Sequence, residues 1–223
     1  LIIALAITVL YLKGGLIPII LYLLFSFTLD EQYHAAIVLP LFYLSIILYT
    51  LFFKREVLKV QLRFYPSSLL FAVTHHAVIF SLVLFTDGVS LYPITILNPY
   101  IIYTAEAILE EIYFRKILYE ELERILKHPM LISSLLFALF HIPLYNLNYY
   151  YSSLPFLITY FEYGYALQLS MAKKGLIYSI IAHIIHNLIS LNYSIPLSTN
   201  SFIIILLAYT IVFLISLLLF SKE

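Results

Sequence analysis

Residues 96–115 read ILNPYIIYTAEAILEEIYFR, an apolar run that nevertheless carries Glu106, Glu110, Glu111 and Arg115. Crossing the hydrocarbon of a bilayer takes about 20 predominantly apolar helical residues, which is the length of this run. Charged side chains at such depth are costly unless they face a cavity or one another. The stretch therefore predicts a membrane helix that has exchanged apolar surface for chemistry. Two other apolar segments carry polar blocks of the same kind, Phe137 to His141 and His183 to Asn187, and His75-His76 forms a weaker fourth.

Composition extends that reading to the whole chain. Of 223 residues, 63% are hydrophobic and 11% charged, with a mean hydropathy of +1.01, whereas soluble domains carry about 25% charged residues. The solvent for most of this chain is lipid. The absence of cysteine excludes disulfides, thiolate metal ligands and cysteine nucleophiles, leaving His, Asp, Glu, Ser and Tyr chemistry. Zero net charge and a pI near 7.2 give no basic footprint for a nucleic acid. No linker-like stretch divides the sequence, so residues 1–223 are read as a single transmembrane domain.

Apolar runs at about 1–29, 34–53, 67–86, 96–115, 130–147, 154–172, 175–192 and 201–220 predict an all-α, polytopic helical bundle of about eight spans. The first is interrupted by Lys13-Gly14-Gly15 and reads as one span or two half-spans. Lys and Arg accumulate on the cytoplasmic side of membrane proteins, and here they follow every second span: Lys54, Arg55, Lys59 and Arg63, then Lys116, Arg124 and Lys127, then Lys173 and Lys174, then Lys222. The connections near Asp30-Glu31, Asp87, 146–153 and 193–200 hold neither. This predicts a cell-membrane protein with a cytoplasmic C-terminus. At 1.5 Å of rise per residue, Glu110, His141 and His183 lie roughly 9, 16 and 12 Å from the basic ends of their helices, which predicts one shared polar layer and an active-site cavity open to the cytoplasmic side.

Spacing within each block assigns faces, because residues three or four apart on a helix are neighbours while adjacent ones diverge by about 100°. Glu111 and Arg115 form an i,i+4 pair that neutralises itself, and a structural support is the plainer role for it. Glu110 turns to another face, beside Glu106, as the free carboxylate suited to act as a general base. His141 can hold or share a water with it. His183 and Asn187 present an imidazole and a carboxamide on one face, two neutral donors able to bind an oxygen as negative charge develops. Phe137, one turn before His141, is read as packing against that imidazole. Taken singly, each histidine reads as well as an interhelical hydrogen-bonder, and His186 as packing elsewhere in the bundle. Residues Lys116 to Lys127 have the period of a surface helix, read as an interfacial linker in preference to a lid over the cavity.

At these residues the chain resembles the CPBP family of intramembrane proteases, which includes CAAX-processing endopeptidases and bacteriocin-processing or immunity proteins of the Abi type. The family's EExxxR is Glu110 to Arg115 here, its FxxxH is Phe137 to His141, and its HxxxN/D is His183 to Asn187. The three occur in the family's order over a motif-bearing core of about 98–192. The resemblance implies an endopeptidase acting on a membrane-associated protein or peptide, lipid-modified or not, with membrane lipid as its surroundings. It implies that Glu110 and His141 activate the hydrolytic water, that His183 and Asn187 stabilise the oxyanion, and that Glu111 and Arg115 support the site. Substrate-binding residues and oligomeric state leave no readable imprint.

Metal dependence is open at this level. Glu110, His141 and His183 could ligate Zn²⁺ with a fourth position for water, although no HExxH helix is present. Two other classes compete with hydrolysis: a proton-coupled transporter, with Glu106, Glu110, Glu162 and the histidines as a relay, and a non-catalytic, immunity-like membrane scaffold.

Overall fold

Proline and glycine set the helix boundaries that matter to the site. The computed structural model describes residues 14–28, 33–58, 71, 73–74, 76–78, 81, 90–91, 97–142, 147–194 and 198–220. The expectations for His75, for residues 1–13 and for most of the span at 67–86 fall outside these. A 3-10 turn at Gly14–Leu16 leads into α1 (Ile17–Thr28), and a π turn at His34–Val38 leads into α2 (Leu39–Phe53), which a 3-10 turn at Arg55–Leu58 follows. The helix of the quoted stretch, α3 (Asn98–Glu110), places Pro99 in its first turn, where the missing N–H is not needed. It runs without a break through a π turn at Glu111–Ile117 into α4 (Leu118–Glu123). The surface helix expected from Lys116 onward is thus the continuation of α3 rather than a separate element.

After α5 (Pro129–Phe140) come α6 (Leu147–Lys174), α7 (Leu176–Ser190) and α8 (Thr199–Phe220). Only Gly175 separates α6 from α7, at φ +92°, a conformation that costs glycine nothing and other residues a Cβ clash. Helix α5 is shorter than the expected span at 130–147. Pro143 cannot donate a backbone hydrogen bond and disfavours helical geometry at Ile142 before it, so the helix stops at Phe140 and His141 caps it. Two residue pairs, Ser90–Leu91 (β1) and Tyr193–Ser194 (β2), make a short antiparallel ladder with Ser90 opposite Ser194, a small addition to the all-α expectation.

Two of the described helices are long and apolar enough to cross a membrane, over Ala36–Phe53 and Thr199–Phe220, and shorter apolar helices cover Gly14–Ser26, Pro129–Phe140 and Leu176–Ser190. Both long ones turn large apolar side chains outward, Phe52 at 69% exposed and Leu218 at 62%. A helix that is apolar all round yet little buried suits lipid and not water. The core is aromatic: Phe42 of α2 meets Tyr113 and Phe114 of the π turn and Phe140 of α5, with centroid distances of 5.3, 6.4 and 4.7 Å. Helix α6 closes on α5 because Gly164 has no side chain, since a Cβ there would lie 2.7 Å from Phe137 Cδ1.

Candidate active site

Three helices contribute the ionisable groups. Glu110 ends α3, and its Oε2 faces Nε2 of His141 at 3.5 Å and Nε2 of His183 at 3.9 Å. Both imidazoles are oriented from behind. Nδ1 of His141 lies 2.8 Å from the Phe137 carbonyl, and Nδ1 of His183 lies 2.9 Å from Glu111 Oε1. Each of those partners only accepts, so each Nδ1 carries the hydrogen and donates it. In the neutral tautomers two Nε2 lone pairs and a carboxylate oxygen then point at one another. Glu110 Oε2 is fully buried and has no hydrogen-bond partner, which is the condition a small bridging donor such as water relieves.

Beneath this set, Glu111 and Arg115 are both wholly buried and bond at 3.1 Å. Glu111 thus spends one carboxylate oxygen on Arg115 and the other on His183. The guanidinium lies 4.3 Å above the Phe137 ring, a cation–π contact, and Phe137 in turn packs on His141 at 4.4 Å between centroids. Phe137 therefore touches both the support pair and an imidazole. Helical register alone separates the duties of the adjacent glutamates: Glu110 faces the cavity and Glu111 faces the protein. The π turn that begins at Glu111 widens the helix at this point; such turns gather at functional sites.

These groups form the floor of a cavity of about 760 Å³. Its lining includes Glu106, Glu110, His141, His183 and Asn187, and also Tyr43, Tyr160 and His186. Asn187 is one turn beyond His183 and sets its Nδ2 3.4 Å from the Tyr103 carbonyl, a long bond that leaves the amide free to turn. Glu162 lies elsewhere, accepting from Thr210 Oγ1 at 3.0 Å between α6 and α8. His186 contacts His76 Nε2 through its Nδ1 at 3.0 Å, and His76 Nδ1 lies 2.8 Å from the Tyr193 hydroxyl. None of residues 116–127 is among the described lining residues.

From this floor the described lining extends along several helices. Tyr43 and Leu39 come from the start of α2, Tyr103 and Glu106 from α3 before Glu110, and Asn187, Ser190 and Leu191 from the far end of α7. In every case the described lining lies on the side of the helix away from its Lys- and Arg-bearing end. On the basic side Glu111, Phe114, Arg115, Ile117 and Leu118 are all 0% exposed and close the floor.

Glu110, His141 and His183 offer zinc-type donor atoms, but among the described residues no group of three or more acidic or imidazole side chains is arranged to hold a metal ion. Two participants escaped the sequence reading. The Tyr43 hydroxyl donates to Glu110 Oε1 at 2.7 Å, and the Tyr160 ring stacks on His141 at 4.9 Å and 26°. With 21 tyrosines in the chain, nothing in the sequence distinguishes these two.

No curated protein and no solved structure matches the chain. Residues 92–189 match the family described as type II CAAX prenyl endopeptidase Rce1-like. That segment contains all three motifs together with Glu110, His141 and His183, so over this part the chain is similar to the CAAX prenyl endopeptidases.

Proposed function

We propose that the protein is an intramembrane endopeptidase that hydrolyses a peptide bond with a water activated by Glu110 and His141. The observation that carries this reading is the meeting of Glu110 Oε2 with two imidazole Nε2 atoms on the floor of a polar cavity. A water between Oε2 and His141 Nε2 donates one hydrogen to each. Glu110 takes its proton as the water oxygen bonds to the scissile carbonyl carbon, and the carbonyl oxygen becomes the oxyanion. Breaking the C–N bond returns that proton to the leaving amine.

The oxyanion is met by His183 and Asn187. Sequence reading gave two neutral donors, but His183 already spends its Nδ1 hydrogen on Glu111. A donor role for its Nε2 requires that nitrogen to carry a hydrogen as well. The position of Asn187 on the same wall, with a weakly held amide, suits the second donor. Glu111 and Arg115 hold His183 in place and Phe137 holds both Arg115 and His141.

The chain is read as a multi-pass protein of the cell membrane with its basic connections and C-terminus in the cytoplasm. With that orientation, the substrate approaches Glu110 from the opposite side of the bilayer or laterally between helices. Its substrate is a membrane-associated protein or peptide, with or without a lipid. A proton relay through Glu162 is disfavoured because that carboxylate bonds Thr210 away from the cavity. The test is cleavage by purified protein carrying Glu110→Gln. Loss of cleavage with the fold retained supports hydrolysis, and unaltered cleavage removes Glu110 from the mechanism. Mapping new peptide termini in membranes with and without the protein identifies the substrate.

A further inference from the structure

Tyr43 stands on α2, outside residues 92–189 that carry the family match, and yet makes the shortest contact to the central carboxylate. Its hydroxyl donates to Glu110 Oε1 at 2.7 Å, and the residue lines the same cavity. The two oxygens of Glu110 are therefore unequal. Oε1 is occupied by Tyr43, whereas Oε2 faces His141 and His183 and holds no hydrogen bond. A carboxylate otherwise rotates about its last torsion with little restriction. Fixing one oxygen aims the other.

We infer that Tyr43 is a positioning residue for the hydrolytic base: it holds Glu110 so that Oε2 alone receives the proton of the attacking water, and it supports the anionic carboxylate that the step requires. The assignment rests on the hydrolytic reading above. The ring itself is fixed by its neighbours Phe42 and Phe140, at 5.4 and 6.4 Å between centroids. The hydroxyl is thus held in place by packing that does not depend on the bond it makes, and Tyr43→Phe removes the bond while leaving the packing.

The experiment compares wild type, Tyr43→Phe, Tyr43→His and Glu110→Gln in full-length protein reconstituted in vesicles, with melting temperature measured beside the pH dependence of kcat. Tyr43→Phe is expected to lower kcat roughly 10- to 100-fold, the size of a lost hydrogen bond to a charged group, with KM little changed. The acid limb of its profile is expected to move to higher pH, because a donor to the charged form is gone. A purely structural role would lower the folded fraction and leave the profile in place. Tyr43→His keeps a ring and an N–H donor and is expected to recover part of the rate; it also carries the comparison if the phenylalanine variant melts early. Wild-type kcat and profile in Tyr43→Phe, or equal rates in the two variants at equal folded fraction, overturns the assignment. If Glu110→Gln itself cleaves normally, the hydrolytic reading fails instead.

Discussion

Glu111 illustrates why a buried charge is informative one residue at a time. One oxygen accepts from Arg115 at 3.1 Å and the other from His183 at 2.9 Å, so the residue is both a structural partner and the orienting group of an imidazole. A buried ion pair adds little net stability compared with apolar residues of the same shape, yet removing one member strands the other. Arg115→Ala is expected to cost about 3–5 kcal/mol, read as a fall in the unfolding midpoint. Replacing both, as Glu111→Leu with Arg115→Met, is expected to return most of the stability but not the activity, because His183 Nδ1 loses its acceptor; recovery of full activity would make the pair purely structural. At this scale the sequence spoke clearly where spacing carries meaning. The i,i+4 separation of Glu111 and Arg115, and the turn by which Glu110 leaves that face, are visible in EExxxR. Tyr43 was not visible: its contact spans 67 positions, and no local pattern marks one tyrosine among 21.

Among elements, the rod from Asn98 to Glu123 joins the site to the basic surface. Its π turn has no sequence signature that apolar periodicity could reveal, whereas the early stop of α5 was legible in Pro143 and was overridden by the run of apolar residues around it. Beyond the rod's buried part, Glu120 accepts from Lys116 at 2.8 Å and Lys54 at 2.9 Å, tying the end of α2 to α4. Burial alone would raise the Glu120 carboxyl, but hydrogen bonds from Lys116 and Lys54 outweigh it and hold the group below its ordinary value of 4.5. A carboxyl lowered in the folded state binds fewer protons there than in the unfolded chain, so its stabilisation is complete above the ordinary glutamate range and is lost as pH falls through the lowered value. Unfolding midpoints followed from neutral to acid pH are expected to fall more steeply for wild type than for Glu120→Gln. Parallel curves would mean that the Lys54 and Lys116 contacts add nothing, as many exposed ion pairs do.

The molecule as a whole has a polarity that neither motifs nor composition disclosed. Counting residues from the basic ends gave the depth of the polar layer, but not the side on which it is open. Among the described residues, Glu111, Phe114, Arg115, Ile117 and Leu118 are buried and the lining runs toward the other helix ends, from which we propose an opening on that side. Because the chain has no cysteine, single cysteines report accessibility without background. Ser190→Cys, an exposed lining residue at the far end of α7, is expected to react with a membrane-impermeant maleimide added to the non-cytoplasmic face, and Lys116→Cys only from the cytoplasmic face. Labelling of Ser190→Cys solely from the cytoplasm would reverse the proposed orientation. The most direct measurement of the central claim is cleavage in heavy-oxygen water by purified wild type and Glu110→Gln, with the new termini read by mass spectrometry. Wild type is predicted to leave one solvent oxygen in each new carboxyl terminus, and Glu110→Gln, folded to the same extent, to leave no new terminus. Cleavage by Glu110→Gln at the wild-type rate would contradict the account.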